Sequence, residues 1–395
     1  MSTAETIYLD NHATTRCDPR VVEALVPMLV ENYGNVSSRT HAVGRAAAEA
    51  YEAAIASLAA DLGCTSDELL ITSGATESNN LAILGFCLHP RQRRRHVITV
   101  ASEHSAVLDP VAVLEKSGFR VTRLPVIPQG HREAGRVDLD RLHDALDDDT
   151  ALVSIMQANN EIGVLHDLAP IAELCHARGA VLHSDATQAI GRVRIDVEQL
   201  GVDLASGSAH KLYGPKGVGL LYVRRRGRRI RLRPEIVGGG QQQGLRSGTL
   251  NSPGTVAFAA ALRICVEGFP DEPQRIGELT ERLWQRLSSR IEGVQLNGPE
   301  RAPELRLAGN LNVCFPDIEG AALMAATPQV ALSSGSACSA TDPNPSHVLL
   351  ALGLSEAEAR RTLRFGVGRF NTESEIDQAV EALAESHQRL KKQFR

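Results

Sequence analysis

Ala180-Val-Leu-His-Ser-Asp-Ala-Thr-Gln188 and Ser206-Gly-Ser-Ala-His-Lys-Leu-Tyr-Gly-Pro-Lys-Gly217 are the two stretches from which this chain is read. The first is an apolar run that ends on an acid, Asp185, with an amide at Gln188. Ahead of the second, Val202 to Ala205 end a strand; small residues and glycines then hold His210 and Lys211 on a turn, and Gly219 to Val223 resume a strand. Each stretch is a strand that delivers a reactive side chain at its end. Outward from them the pattern repeats. Strands are expected at Glu68 to Thr72, His96 to Val100, Val121 to Val126 and Ala151 to Met156, and helices at Val43 to Leu62, Thr76 to Leu88, Ser105 to Ser117 and Leu168 to Arg178. Strands alternating with helices form βαβ units and a mostly parallel sheet. In such α/β folds ligands gather at the carboxyl ends of the strands. Asp185, His104 and the Lys211 turn all fall at such ends, which points to one shared site.

The pattern changes after about Pro253. Helices at Thr255 to Val266 and Gln274 to Glu292 precede a strand at Asn310 to Phe315, a glycine- and serine-rich loop, a short strand at Thr362 to Val367 and a terminal helix at Ser374 to Lys392. This suits a smaller α+β unit. The expected division is an N-terminal segment (1–15) packing with the small domain, a large domain (16–258) and a small C-terminal domain (259–395). At 395 residues, with 43% hydrophobic and 23% charged residues, the chain has the make-up of a soluble enzyme with a sizeable core. A net charge of −5 gives no reason to expect direct nucleic-acid binding. No charged-then-apolar leader and no membrane-length apolar stretch is evident. Seven dispersed cysteines without a C-x-x-C argue against a zinc site or disulfide framework, so no metal is expected, and favour a cytoplasmic setting.

The strand-end residues fit the needs of pyridoxal phosphate: a lysine (Lys211) for its aldehyde, an acid (Asp185) for its pyridinium nitrogen, and donors for its phosphate. Thr72-Ser-Gly-Ala-Thr-Glu-Ser-Asn79 is the expected phosphate cradle, a strand running into the start of a helix whose free N–H groups and dipole favour an anion. Thr76 is the expected N-cap there. Ser208 and His210 are further candidate phosphate donors. His104 can stack on the ring and move protons, or simply cap the helix after it. Asn160 and Gln188 can bond a ring hydroxyl or act as turn residues.

As a set, Tyr8-Leu-Asp-Asn-His-Ala-Thr-Thr15, Ser73-Gly-Ala-Thr-Glu-Ser78, Asn159-Asn-Glu-Ile-Gly163, Asp185-Ala-Thr-Gln188, His210-Lys-Leu-Tyr-Gly-Pro-Lys-Gly217 and Arg246-Ser-Gly-Thr249 resemble the pyridoxal-phosphate cysteine desulfurases of the nitrogen-fixation and iron–sulfur-assembly type. These belong to the class V aminotransferase superfamily, with fold type I. The resemblance extends from about Tyr8 to Phe370. It implies that Lys211 holds the cofactor, Asp185 faces the pyridinium, Gln188 and Asn160 serve the ring, and His104 stacks on it. Ala75, Thr76, Ser208 and His210 match phosphate-side positions, and Thr249 matches one that completes the partner's site in a homodimer.

Cys338 lies in Leu332-Ser-Ser-Gly-Ser-Ala-Cys-Ser-Ala-Thr341, small residues that suit a loop rather than a packed element. The resemblance makes it the thiolate that takes sulfur from L-cysteine, leaving L-alanine and a persulfide for a protein acceptor, such as a cluster scaffold or thiolation protein. Arg364 matches the carboxylate-clamping arginine, with Arg369 as its local competitor. Another class V enzyme, an aminotransferase or a selenocysteine/cystine lyase, would use Lys211 and Asp185 equally well. The chain departs from the family's common pattern at Gln242 and Gln243, where an acid and a base are usual. The arginine-rich run Arg224 to Arg233 reads as a solvated turn or as a docking patch.

Overall fold

A computed structural model describes residues 6–334 and 344–393. In chain order its elements are β1 (Ile7–Tyr8), α1 (Pro19–Val30), α2 (Ala42–Leu62), β2 (Leu69–Thr72), α3 (Ala75–Cys87), β3 (His96–Val100), α4 (Ser105–Lys116), β4 (Arg120–Leu124), α5 (Leu139–Ala145), β5 (Thr150–Ser154), α6 (Leu168–Ala177), β6 (Val181–Asp185), β7 (Leu204–Ser208) and β8 (Gly219–Val223). There follow α7 (Ser252–Glu267), α8 (Asp271–Arg290), β9 (Gln295–Leu296), β10 (Asn310–Cys314), α9 (Gly320–Ala326), β11 (Val330–Ala331), α10 (His347–Ala351), α11 (Glu356–Arg360), β12 (Thr362–Gly366) and α12 (Glu373–Gln393).

The main sheet has seven strands in the order β2-β8-β7-β6-β5-β3-β4. All run parallel except β8, which is antiparallel to both its neighbours. Every residue of β3, β5, β6, β7 and β8 is buried, which is why these strands are short uninterrupted runs rather than polar–apolar alternations. Only β4, at the edge, shows residues to solvent. The mostly parallel α/β sheet expected from the sequence is present. Two local expectations change. β7 does not stop at Ala205 but continues through Ser206, Gly207 and Ser208, because small side chains are what its packing admits. A Cβ on Gly207 would lie 2.5 Å from Ile190 Cδ1. And α1, not anticipated, is set by Asp18, whose carboxylate accepts the Arg20 N–H, with Pro19 at the first helical position; Pro27 inside it masked the helical pattern.

A second, antiparallel sheet (β12-β10-β9) lies with α8 and α12 over its own core of Leu279, Leu283, Leu311, Val313, Phe315, Phe365 and Leu383. Ile7 and Leu9 pack into this core, and β1 pairs with β11. α7 runs unbroken past residue 258 and buries Phe258, Ala261, Leu262 and Cys265 in the larger core. We therefore propose that the division between the two units follows α7, at Gly268.

Candidate active site

The carboxyl ends of the parallel strands meet at a cavity of about 820 Å³. Ala75, Thr76, His104, Asn160, Asp185, Gln188, Ser208, His210, Lys211 and Arg364 all contribute to its walls. Sequence positions far apart converge here because all but Arg364, which comes from β12 of the second sheet, lie at or beyond strand ends of the main sheet. Ser73 and Gly74 follow β2, His104 follows β3, Asn160 follows β5, Asp185 ends β6 and Ser208 ends β7.

One end of the cavity is rich in hydrogen-bond donors. α3 opens at Ala75 with Gly74 in the cap position, so Thr76 is not the N-cap that was expected; it occupies the first turn. The backbone of Gly74 lies against β8, where a Cβ on Gly219 would fall 2.6 Å from Gly74 Cα; only glycine at 219 lets the loop sit this close. Glu77 accepts the Ser73 N–H at 2.7 Å and pairs with Arg246, whose Nε is 2.8 Å away. His210 Nδ1 lies 3.1 Å from Thr14 Oγ1. Burial first, then Lys211, Lys216 and Arg192, push the His210 imidazole down to about 4, so it is neutral at physiological pH.

Asp185 stands in the middle. Its Oδ2 accepts from Asn79 Nδ2 at 2.8 Å and its Oδ1 from the Thr187 backbone N–H at 3.0 Å. Lys211, in a 3-10 turn that follows β7, donates from Nζ to the carbonyls of His12 and Ala13, both at 2.7 Å. Lys216 also reaches the cavity but is exposed. His104 caps α4, its Nδ1 accepting the Ala106 N–H at 3.0 Å, and lines the cavity as well. Arg364, on β12, is 1% exposed; its Nη2 donates to Asp10 Oδ1 at 2.7 Å and its Nη1 to the Asn160 carbonyl at 3.1 Å. Arg369 lies elsewhere, paired with Asp18 and Glu272 at 2.7 Å and stacked 4.1 Å over the Tyr213 ring.

One expected participant is not in this wall, and another cannot be placed against it. Thr249 is exposed and outside it. Cys338 lies outside the described residues. The chain on either side of it nevertheless meets the site. Ser333 accepts the Arg364 backbone N–H at 2.8 Å, and Asn344 to Val348 line the cavity, tied down by Ser346 Oγ to Glu161 Oε2 at 2.5 Å. None of the six described cysteines lines the cavity. Burial raises the Cys64 and Cys175 thiols to about 12 and that of Cys265 to about 11.

The sequence reading overlooked His12, Asn79 and Arg192, which hold the anticipated residues from behind. His12 and Asn79 sit within quoted motifs, but nothing in their spacing reveals a partner more than a hundred residues away. Gln242, flagged as a departure, bonds both the N–H and the C=O of Ile71 through its amide, at 2.6 and 2.8 Å, extending the edge at β2. In the arginine-rich run, Arg224, Arg225 and Arg226 pair with Asp203, Asp67 and Glu198, and Arg228 caps the Gly179 and Ala180 carbonyls.

A strand-end lysine, a strand-end carboxylate and a glycine-capped helix start thus share one cavity at the carboxyl ends of a mostly parallel sheet. Residues 7–379 match the family model described as Aminotransferase class-V. The cysteine desulfurase IscS of Anaeromyxobacter dehalogenans (strain 2CP-C) is 47% identical over 385 residues, covering 98% of this chain and 93% of that protein. The cysteine desulfurase of Pongo abelii is 44% identical, with 98% of this chain and 82% of that protein covered. Among solved structures, one described as a NIFS-like protein superposes with a TM-score of 0.87 at 36% identity, over 96% of this chain and 98% of the other. The chain belongs to the aminotransferase class-V family and, within it, to the cysteine desulfurases.

Proposed function

We infer that this chain is a pyridoxal-phosphate-dependent cysteine desulfurase that converts L-cysteine to L-alanine and keeps the sulfur as a persulfide on Cys338 for an acceptor protein. The observation that carries the reading is the joint presence of Lys211, Asp185, His104 and Arg364 in one cavity. The cavity suits the cofactor on three counts. Its volume is in the range of small-molecule sites. Its donors cluster at the start of α3, where a phosphate is favoured. Thr187 Oγ1, in its wall, is buried with no hydrogen-bond partner among the described residues.

When bound, pyridoxal phosphate supplies an aldehyde for the substrate's amine and a ring that accepts electrons from its Cα–H bond. Lys211, whose amine lies in the cavity wall, would act as the base that moves the α-proton. Asp185, fixed by Asn79 and Thr187, is held as the counter-charge to the ring nitrogen. Arg364 offers its guanidinium to the substrate carboxylate, with Asp10 and the Asn160 carbonyl setting its plane. His104, its Nδ1 engaged by Ala106, handles protons from Nε2. The Cys338 thiolate attacks the substrate sulfur: an S–S bond forms, the C–S bond breaks, and the carbon gains the proton that completes the alanine methyl. The protein thiol becomes a persulfide and the substrate carbon is reduced, so no outside oxidant is needed.

We also place the enzyme in the cytoplasm as a homodimer. The six described cysteines, none of them in a disulfide, support the first; no described helix is long and apolar enough to cross a membrane. The test is alanine production from L-cysteine without any keto acid. Cys338→Ser is expected to keep the cofactor's visible absorption and lose alanine release, whereas Lys211→Ala loses the absorption that borohydride fixes covalently. Alanine release at the unmutated rate by Cys338→Ser refutes the sulfur-transfer step and leaves a lyase.

A further inference from the structure

Arg192 sits behind the cavity, between it and a second, smaller recess that His12 and Arg192 share. Its Nη1 donates to Gln188 Oε1 at 2.5 Å and to His12 Nδ1, and its Nη2 to the carbonyls of Asn11 and Lys211 at 2.7 and 3.0 Å. Four acceptors thus share one planar fork. They come from the N-terminal segment, the stretch after β6 and the lysine turn. Among the described residues no carboxylate is paired with it.

A guanidinium can only donate hydrogen bonds. The Gln188 group facing Arg192 is therefore its carbonyl, and the amide nitrogen faces the other way, donating one hydrogen to the His12 carbonyl at 2.9 Å. The second hydrogen of that nitrogen is left for the cavity that Gln188 lines. By the same logic His12 Nδ1 accepts, so the ring is neutral and carries its proton on Nε2. Burial, with Arg192 next, drives the imidazole well below its usual range, in keeping with this tautomer.

We propose that Arg192 is a positioning residue that locks the Gln188 amide so that it offers an N–H, never its carbonyl, to the oxygen of the ring bound in the cavity. The assignment rests on the pyridoxal-phosphate reading and adds to it a residue that does not touch the cofactor. An N–H aimed at a ring oxygen stabilises its ionised form and weakens its hold on a neighbouring proton. Without Arg192 only the bond to the His12 carbonyl holds the amide, and the preference is weakened. Lysine is a poor substitute, since a point charge cannot span four acceptors in a plane.

The test is a pH titration of the bound cofactor's visible absorption in the unmutated enzyme, Arg192→Met, Gln188→Leu and the double variant. His12, His104, Asp185, His210, Lys211, Lys216 and Arg364 are common to all four; the charge lost with Arg192 also acts on the site directly, and the double variant separates that direct effect from one passing through Gln188. Each single variant is expected to raise the transition by about one pH unit. The double variant is expected to go no further than Gln188→Leu alone, because Arg192 acts only through the amide. Arg192→Lys should fall between, and it replaces Arg192→Met if circular dichroism shows that variant unfolded. An unshifted transition in a folded Arg192 variant, or additive shifts in the double variant, overturns the proposal. Absence of cofactor absorption in the unmutated protein is a different failure, since it refutes the cofactor reading and the positioning role with it.

Discussion

His183 has no exposed surface and bridges Ser154 Oγ at 2.8 Å and Ser206 Oγ at 3.1 Å, two residues before Asp185. His166 is likewise buried, its Nε2 accepting the Val137 N–H. Desolvation lowers both imidazoles to about 4. An unfolded histidine takes a proton near 6.5, so below that pH the unfolded state binds protons that the folded state does not. Stability is then full above about pH 6.5 and declines as the pH falls towards 4, by about 3 kcal/mol per histidine at the lower limit. Asp18, held well below the usual carboxylate range first by Arg20 and also by Arg369, adds its own loss only below about pH 4. Urea midpoints between pH 7.5 and 4.5 should fall steadily, and less so in His183→Gln. A flat profile would show that neither histidine is held neutral. At this scale the sequence marked Asp185 as functional but was silent on the histidine behind it.

The hairpin of β7 and β8 is the element that carries Lys211, and its geometry depends on missing side chains. A Cβ at 219 meets Gly74 Cα at 2.6 Å and Gly207 O at 2.7 Å, both backbone atoms that no rotamer change can move. Gly219→Ala is therefore expected to cost roughly 1–3 kcal/mol and to push the start of α3 out of place. It should weaken cofactor binding more than Gly277→Ala, whose new methyl group, 3.8 Å from Ala308 within α8, should stabilise the fold by about 1 kcal/mol. Thermal melts and cofactor titrations of the two variants check this; equal effects would contradict the close approach. The reversal of β8 was within reach of the sequence only as a lysine turn between strands. Its place between β2 and β7 was not, because apolar runs carry no mark of direction.

For the whole molecule, the pertinent surface is the one left uncovered. Val26 (45%), Leu29 (56%), Val30 (63%) and Tyr33 (67%) form an exposed apolar stripe at and beyond the end of α1. Thr249 stands exposed three residues after Arg246, which is tied to Glu77 at the start of α3. Both support a homodimer in which Thr249 reaches the partner's phosphate end. Sedimentation should give twice the chain mass, and Thr249→Ala should weaken cofactor binding about tenfold, the effect of one charge-assisted hydrogen bond. A fully active monomer would rule the arrangement out.

Local rules settled much of this protein. Apolar runs of strand length, helical stretches between them, the lysine turn and the acid at the end of β6 are all written within short windows of sequence, where periodicity and turn chemistry act. Only the tertiary structure decided which side chains stand behind those residues. The Gln188 amide meets the His12 carbonyl across 176 positions, and Lys211 meets His12 across 199. Gln242 completes the edge of β2 across 171. Bonds of this kind depend on how strands are ordered in the sheet and how closely glycines let the backbone approach, and neither leaves a period or a spacing in the chain.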